Sequence, residues 1–100
     1  MENAAQLKMV NVTQTVVESM VDEVIREEEM CTCPRCRLDV MAIALNALPP
    51  QYAVSEEGKT YQRFRLQDVP QSRIIVYQAI LKAAQTVKQR PRHGDHRSLV

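Results

Sequence analysis

Cys31, Cys33 and Cys36 fall within six residues, in the run Cys-Thr-Cys-Pro-Arg-Cys. Three thiols this close can converge on one soft cation, and a tetrahedral zinc takes thiolate sulfurs about 2.3 Å away. Cys33 and Cys36 have the Cys-x-x-Cys spacing. Pro34, between them, suits the first position of a helix, where its missing N–H costs nothing. The pair therefore sits on a turn entering a helix, whose N-terminus favours thiolate over thiol. Cys31 supplies a third sulfur from the extended approach. No fourth ligand lies nearby, and His93 and His96 are the candidates for it. Two other chemistries use the same residues. Reduced cysteines pack as small hydrophobes. A Cys-x-x-Cys pair also supports thiol exchange, but the strand–helix–strand context of such a redox site is absent. Zinc is the preferred reading of the three.

The elements that must position these residues are mostly helical. Asn11 can cap a helix, with Gln14 in the place where a capping box wants Glu or Gln. Val12, Val16, Val17, Met20, Val21, Val24 and Ile25 then recur at spacings of three and four, an amphipathic helix. It ends in Glu27-Glu28-Glu29, acids that oppose the helix dipole. Such a run is either frayed surface or is compensated by a cation or metal. From Leu38 to Leu48 the chain is apolar on nearly every face, as in a helix at the centre of a core or in a dimer interface. Met41, Leu45 and Leu48 are the expected contacts of such an interface. Pro49-Pro50 ends this second helix.

In residues 51–64, Tyr52 and Val54 on one side and Thr60, Tyr61 and Phe64 on the other predict two short strands. Gly58 would supply the positive-φ turn of a hairpin between them. Pro70 opens the last helix, whose apolar face carries Ile74, Tyr77, Ile80, Leu81, Ala84 and Val87. The expected fold is thus mainly α (α+β): about three helices, with a short β-hairpin between the second and third. Residues 1–10 read as a flexible leader, 11–90 as the domain, and 91–100 as a polar tail.

One hundred residues suffice for one domain with a thin margin of stability, which a metal or a dimer interface would relieve. No apolar run approaches the roughly 20 residues needed to span a bilayer. The N-terminus lacks the pattern of a signal peptide, so a cytoplasmic location is expected. Catalysis is not expected either. With two glycines in the chain there is no phosphate-binding loop, and no Ser/His/Asp set or pair of core carboxylates is apparent. Net charge is +1, but its sign is uneven. Residues 1–30 carry seven acids and two bases, and residues 31–100 carry five acids and eleven bases. The basic half is too modest for a nucleic-acid footprint. It could meet the acidic half, within one chain or across a dimer, or receive a small anion.

The block CTCPRCRLDVMAIALNALPPQYAV resembles the late competence development protein ComFB family of bacteria. The features that carry the resemblance are Cys-Thr-Cys-x-x-Cys, the following Asp-Val, and an Ala/Leu-rich helix ending in Leu-Pro-Pro-x-Tyr. The resemblance covers about residues 10 to 92. It implies a compact helical domain that forms a homodimer and binds zinc through Cys31, Cys33 and Cys36. Some relatives have a further cysteine near the C-terminus. This chain has none, which leaves the fourth ligand open, with His93 and His96 as the candidate replacements.

The resemblance also implies a receptor for cyclic dinucleotide second messengers, cyclic di-GMP above all, that signals to a protein partner not named by the sequence. Such a ligand carries two phosphates and two purines. Arginine binds phosphate or a guanine edge bidentately, an acid accepts from guanine N–H groups, and tyrosine stacks. Tyr61, Arg63, Arg65 and Asp68, followed by Arg73, concentrate these groups. Arg63 and Arg65 share a face if the segment is a strand. Arg35 and Arg37 form a second basic pair, and the sequence does not decide between the two. The other reading is a zinc-stapled structural or interaction protein of the competence or motility machinery without nucleotide binding.

Overall fold

The computed structural model describes residues 8–90, so residues 1–7 of the expected leader and the tail 91–100 lie outside the described residues. Four helices and one two-stranded antiparallel sheet make up the fold. In chain order these are β1 (Val10–Asn11), α1 (Val12–Glu27), α2 (Pro34–Ala47), β2 (Tyr52–Ala53), α3 (Glu56–Gln67) and α4 (Pro70–Gln89).

The valine periodicity of α1 becomes its buried face. Val12, Val16, Val17, Val21, Val24 and Ile25 are all within 2% of full burial. Fully burying one such side chain is worth about 1.5–3 kcal/mol, so this stripe is the largest single contribution to the core. Asn11 caps the helix: its Oδ1 accepts from the Thr13 N–H at 3.2 Å. The same oxygen accepts from the Gln51 N–H at 2.9 Å. Gln14 does not complete a capping box, because its amide donates to Glu18 at 3.2 Å instead.

Pro34 is in the first turn of α2, as its chemistry requires. Cys36, Val40, Met41 and Ala44 face inward, and Leu48 closes the end before the two prolines. The helix is not wrapped on every side, since Leu38 remains 58% exposed. Met41 and Leu48 are buried within this one chain and Leu45 is half-buried. Of the residues expected at an interface, Met41 and Leu48 are thus protomer core, and Leu45 packs against that core while remaining partly accessible. From α4, Val76, Ile80, Ala83, Ala84 and Val87 complete that core.

The expected hairpin over residues 51–64 does not form. Only Tyr52–Ala53 is extended, and it pairs with β1, Val10 opposite Ala53 and Asn11 opposite Tyr52. Val10, the end of the expected leader, is therefore part of the sheet. The rest of the segment is α3, giving four helices rather than three. Ser55 starts it as N-cap, its Oγ accepting from the Gly58 N–H at 3.0 Å. Glu56 and Glu57 then lie where the dipole favours acids. Gly58 adopts no positive φ. Its missing side chain serves close approach: a Cβ there would stand 3.1 Å from Ser55 Oγ and 3.4 Å from the Ala53 side chain. No residue of α3 is fully buried.

The described chain measures 46 × 32 × 19 Å. Its shortest dimension is about two helix diameters, so no side chain is far from a surface.

Candidate metal centre and exposed arginines

The end of α1 delivers the cysteines. Glu29 takes the left-handed conformation, with φ of 52°. Around it the Glu29 N–H donates to Arg26 O at 3.1 Å and the Met30 N–H to Ile25 O at 3.4 Å. This is a Schellman stop with glutamate in the position usually given to glycine. The chain reverses there and enters α2 through the cysteine run. The acidic end of α1 meets a phenol, Tyr77 Oη donating to Glu27 at 3.0 Å. That bond, together with the nearby acids, raises the Tyr77 pKa above its usual value.

Cys31 is exposed, Cys33 half-buried and Cys36 buried. Their three Sγ atoms lie within 4.8 Å of one another. Sulfurs around one tetrahedral zinc stand about 3.8 Å apart, given bonds of about 2.3 Å. The cluster therefore needs to close by only about 1 Å to hold a metal ion. Cys33 is the N-cap of α2, its Sγ accepting from the Cys36 N–H at 3.4 Å. That bond lowers its pKa to about 7, against the opposing effect of burial. Cys36 is pushed up to about 12, first by burial and then by the neighbouring thiols. The pair is thus uneven before metal arrives: one sulfur is ready to bind and another needs a cation to ionise. Among the described residues no carboxylate joins the three sulfurs, and His93 and His96 lie outside the described residues.

The two arginines beside the cysteines are engaged within the fold. Arg35 Nε donates to Asp39 at 3.1 Å, and Asp39 is itself only 4% exposed. Arg37 Nε donates to Asp22 of α1 at 2.9 Å. Both act as struts that hold α2 together and against α1.

Arg63, Arg65 and Arg73 are exposed and make no ion pair among the described residues. The helical form of α3 changes their relation. Residues two apart on a helix point about 200° from each other, so Arg63 and Arg65 do not share a face. Arg65 instead meets Tyr61, its guanidinium carbon 5.9 Å from the ring centroid. Arg65 also lines a cleft of about 150 Å³ with Gln51, Gln62, Leu66, Ser72 and Ile75. Asp68 and Arg73 line a separate cleft, with Gln67 and Met20. Of the residues expected to bind a ligand, the structure therefore brings together Tyr61 with Arg65, and Asp68 with Arg73, and leaves Arg63 apart. Gln62, which the sequence reading passed over, lies in the first cleft. Its Oε1 is buried without a hydrogen-bond partner among the described residues.

Residues 10–91 match the family model of the late competence development protein ComFB. The chain belongs to the ComFB family. The competence protein ComFB of Bacillus subtilis (strain 168) is 27% identical over 84 residues, spanning 83% of this chain and 85% of the relative. A solved structure of the late competence protein ComFB from Bacillus subtilis superposes with a TM-score of 0.73 at 26% identity. It covers 84% of this chain and 92% of that one. The family assignment thus agrees with the resemblance carried by the cysteine block, and the fold agrees with a mainly helical domain. No described helix is long and apolar enough to cross a membrane.

Proposed function

We propose that this ComFB-family chain is a zinc-stapled, non-catalytic receptor for cyclic di-GMP, working in the cytoplasm as a homodimer that signals to a protein partner. The ligand class rests on the family resemblance. The observation that supports it here is the contrast between two sets of arginines. Arg35 and Arg37 are neutralised by Asp39 and Asp22, whereas Arg63, Arg65 and Arg73 face solvent without a carboxylate partner among the described residues. An unpaired guanidinium is free to meet a phosphate or a guanine edge. The α3–α4 side is therefore the receptor face.

Cys31, Cys33 and Cys36 would hold the zinc, and an all-thiolate donor set suits it. Bound there, the ion serves as a cross-link between the end of α1 and the start of α2. A hydrolytic zinc site keeps a general base at hand, and no carboxylate stands with these sulfurs among the described residues. This favours a staple over a catalyst.

The test is calorimetric titration of metal-replete protein with cyclic di-GMP. Arg65→Ala should weaken binding about 10- to 150-fold, the loss of one charge-assisted contact. Arg37→Ala should reduce stability and leave affinity within about twofold. Wild-type protein that binds no cyclic dinucleotide would leave the zinc-stapled interaction protein as the better account. That second reading is favoured by the exposed apolar residues Phe64, Ile74 and Ile75 on α3 and α4, each more than half exposed.

A further inference from the structure

The three cysteines differ in how far solvent reaches them. Cys31 is exposed, Cys33 half-buried and Cys36 buried, yet their sulfurs lie within 4.8 Å of one another. Cys33 links the two extremes. Solvent reaches it, and its Sγ is held over the first turn of α2 by the Cys36 N–H at 3.4 Å. Cys33 and Cys36 are also the two ends of the Cys-x-x-Cys spacing, on a turn opened by Pro34. A Cys-x-x-Cys pair at a helix N-terminus is the arrangement in which dithiols exchange with disulfides. The strand–helix–strand frame of a protein oxidoreductase is missing among the described residues, so the pair has no substrate protein to serve and can act only on itself.

We propose that Cys33 and Cys36 are a reversible oxidation site, closing to a disulfide on contact with a hydroperoxide and so giving up the metal. The inference rests on the zinc-staple reading and adds regulation to it. The Cys33 sulfur attacks one oxygen of the peroxide and the O–O bond breaks, which leaves Cys33 as a sulfenic acid and releases one water. The Cys36 sulfur then displaces the hydroxyl group from Cys33, forming the S–S bond and releasing a second water. Each sulfur gives one electron, the peroxide takes both, and the thiol protons end in the two waters. The burial of Cys36 suits the second step. Peroxide does not reach it first, and it stands one helical turn from the sulfur it must attack. With two of the three sulfurs consumed, Cys31 alone cannot hold the ion. The new bond lies wholly within the first turn of α2, so the cross-link to the end of α1 is lost. A low-molecular-weight thiol reverses the step by exchange, and disulfides in a reducing cytoplasm are usually transient ones of this kind.

The test treats the full zinc-loaded chain with an equivalent of hydrogen peroxide, then blocks free thiols with N-ethylmaleimide. Trypsin cuts after Arg26, Arg35 and Arg37, so Cys33 and Cys36 fall in different peptides while Cys31 stays with Cys33. Mass spectrometry without reductant should find the peptides of Cys33 and Cys36 joined, with maleimide on Cys31. A zinc-binding dye should report release of about one ion per chain, and dithiothreitol with added zinc should restore the starting state. Cys31→Ser should form the same bridge. Adding Cys36→Ser to that variant should leave Cys33 as a sulfenic acid that dimedone labels. Zinc and free thiols that survive the peroxide overturn the oxidation site and leave the staple in place. Release with sulfinic or sulfonic acids and no bridge overturns it too, because thiols do not reverse that damage. A Cys31–Cys33 bridge, or one between two chains, overturns the pair assigned. Protein that holds no zinc when purified removes the staple, and the same peptide map then decides the oxidation site alone.

Discussion

Cys33 does two jobs with one sulfur. It caps α2 by accepting the Cys36 N–H, and the same bond brings its pKa to about 7. A serine there can keep the cap, since hydroxyls are good N-caps, but it gives up a thiolate. Cys33→Ser should therefore lower zinc from about one per chain to none, by elemental analysis of protein made without a histidine tag. It should also lower the melting temperature, because the binding free energy of a structural metal appears as folding free energy. If the variant keeps its zinc, the cluster is not the site. A neighbouring residue carries strain of a different kind. Glu29 holds a left-handed conformation that costs a side-chain-bearing residue about 1–2 kcal/mol. Glu29→Gly should stabilise the protein by about 1 kcal/mol in urea unfolding, with no change in metal content. A loss of stability would mean that the glutamate carboxylate matters more than its backbone.

At the scale of elements, Asn11 shows how one side chain joins two parts of the fold. Its Oδ1 serves the first turn of α1 and the backbone of Gln51, while the Val12 N–H donates to Gln51 O at 2.7 Å. Asn11→Ala should cost about 1–2 kcal/mol by chemical denaturation, a cap and a tertiary bond together. A cost near zero would show that β1 and β2 hold without it. The helices α1, α2 and α4 were legible in the sequence because Asn11, Pro34 and Pro70 mark their starts, α1 and α4 carry a 3.6-residue stripe, and α2 is a long apolar run closed by Pro49-Pro50. The third helix was not. It buries no residue completely, so no stripe marks it, and Gly58 between two aromatic-containing stretches imitates a hairpin turn. Ser55 followed by Glu56 and Glu57 was the available signal, a cap with two first-turn acids. The cysteine triad was legible because its members are adjacent in sequence. The standing of the arginines was not, because Arg37 finds its partner Asp22 fifteen residues away and only the packing of α1 on α2 brings them together.

In the whole molecule, three of the four aromatic side chains, Tyr52, Tyr61 and Phe64, lie on the outside, and only Tyr77 packs against the core. The single phenylalanine, Phe64, is 54% exposed and Tyr61 is 61% exposed, while valine and alanine fill the core. A chain with so little large apolar material gains by covering what it exposes, which suits a homodimer. Phe64→Glu should turn dimers into monomers in light scattering at micromolar concentration, with helix content retained, because no buried residue of α3 is disturbed. A wild type that scatters as a monomer would remove the dimer from the proposal. The outlying position of α3 has a further consequence, for the order in which the molecule opens. A helix held without any fully buried side chain can leave the surface while the valine core stays closed, so its opening free energy lies well below that of global unfolding. Amide protons of residues 59–67 should therefore exchange with deuterium earlier than those in the middle of α1, α2 or α4. The helix that carries Tyr61, Gln62 and Arg65 is then a separate cooperative unit, and a ligand seated on it should slow that exchange while hardly altering exchange in the core.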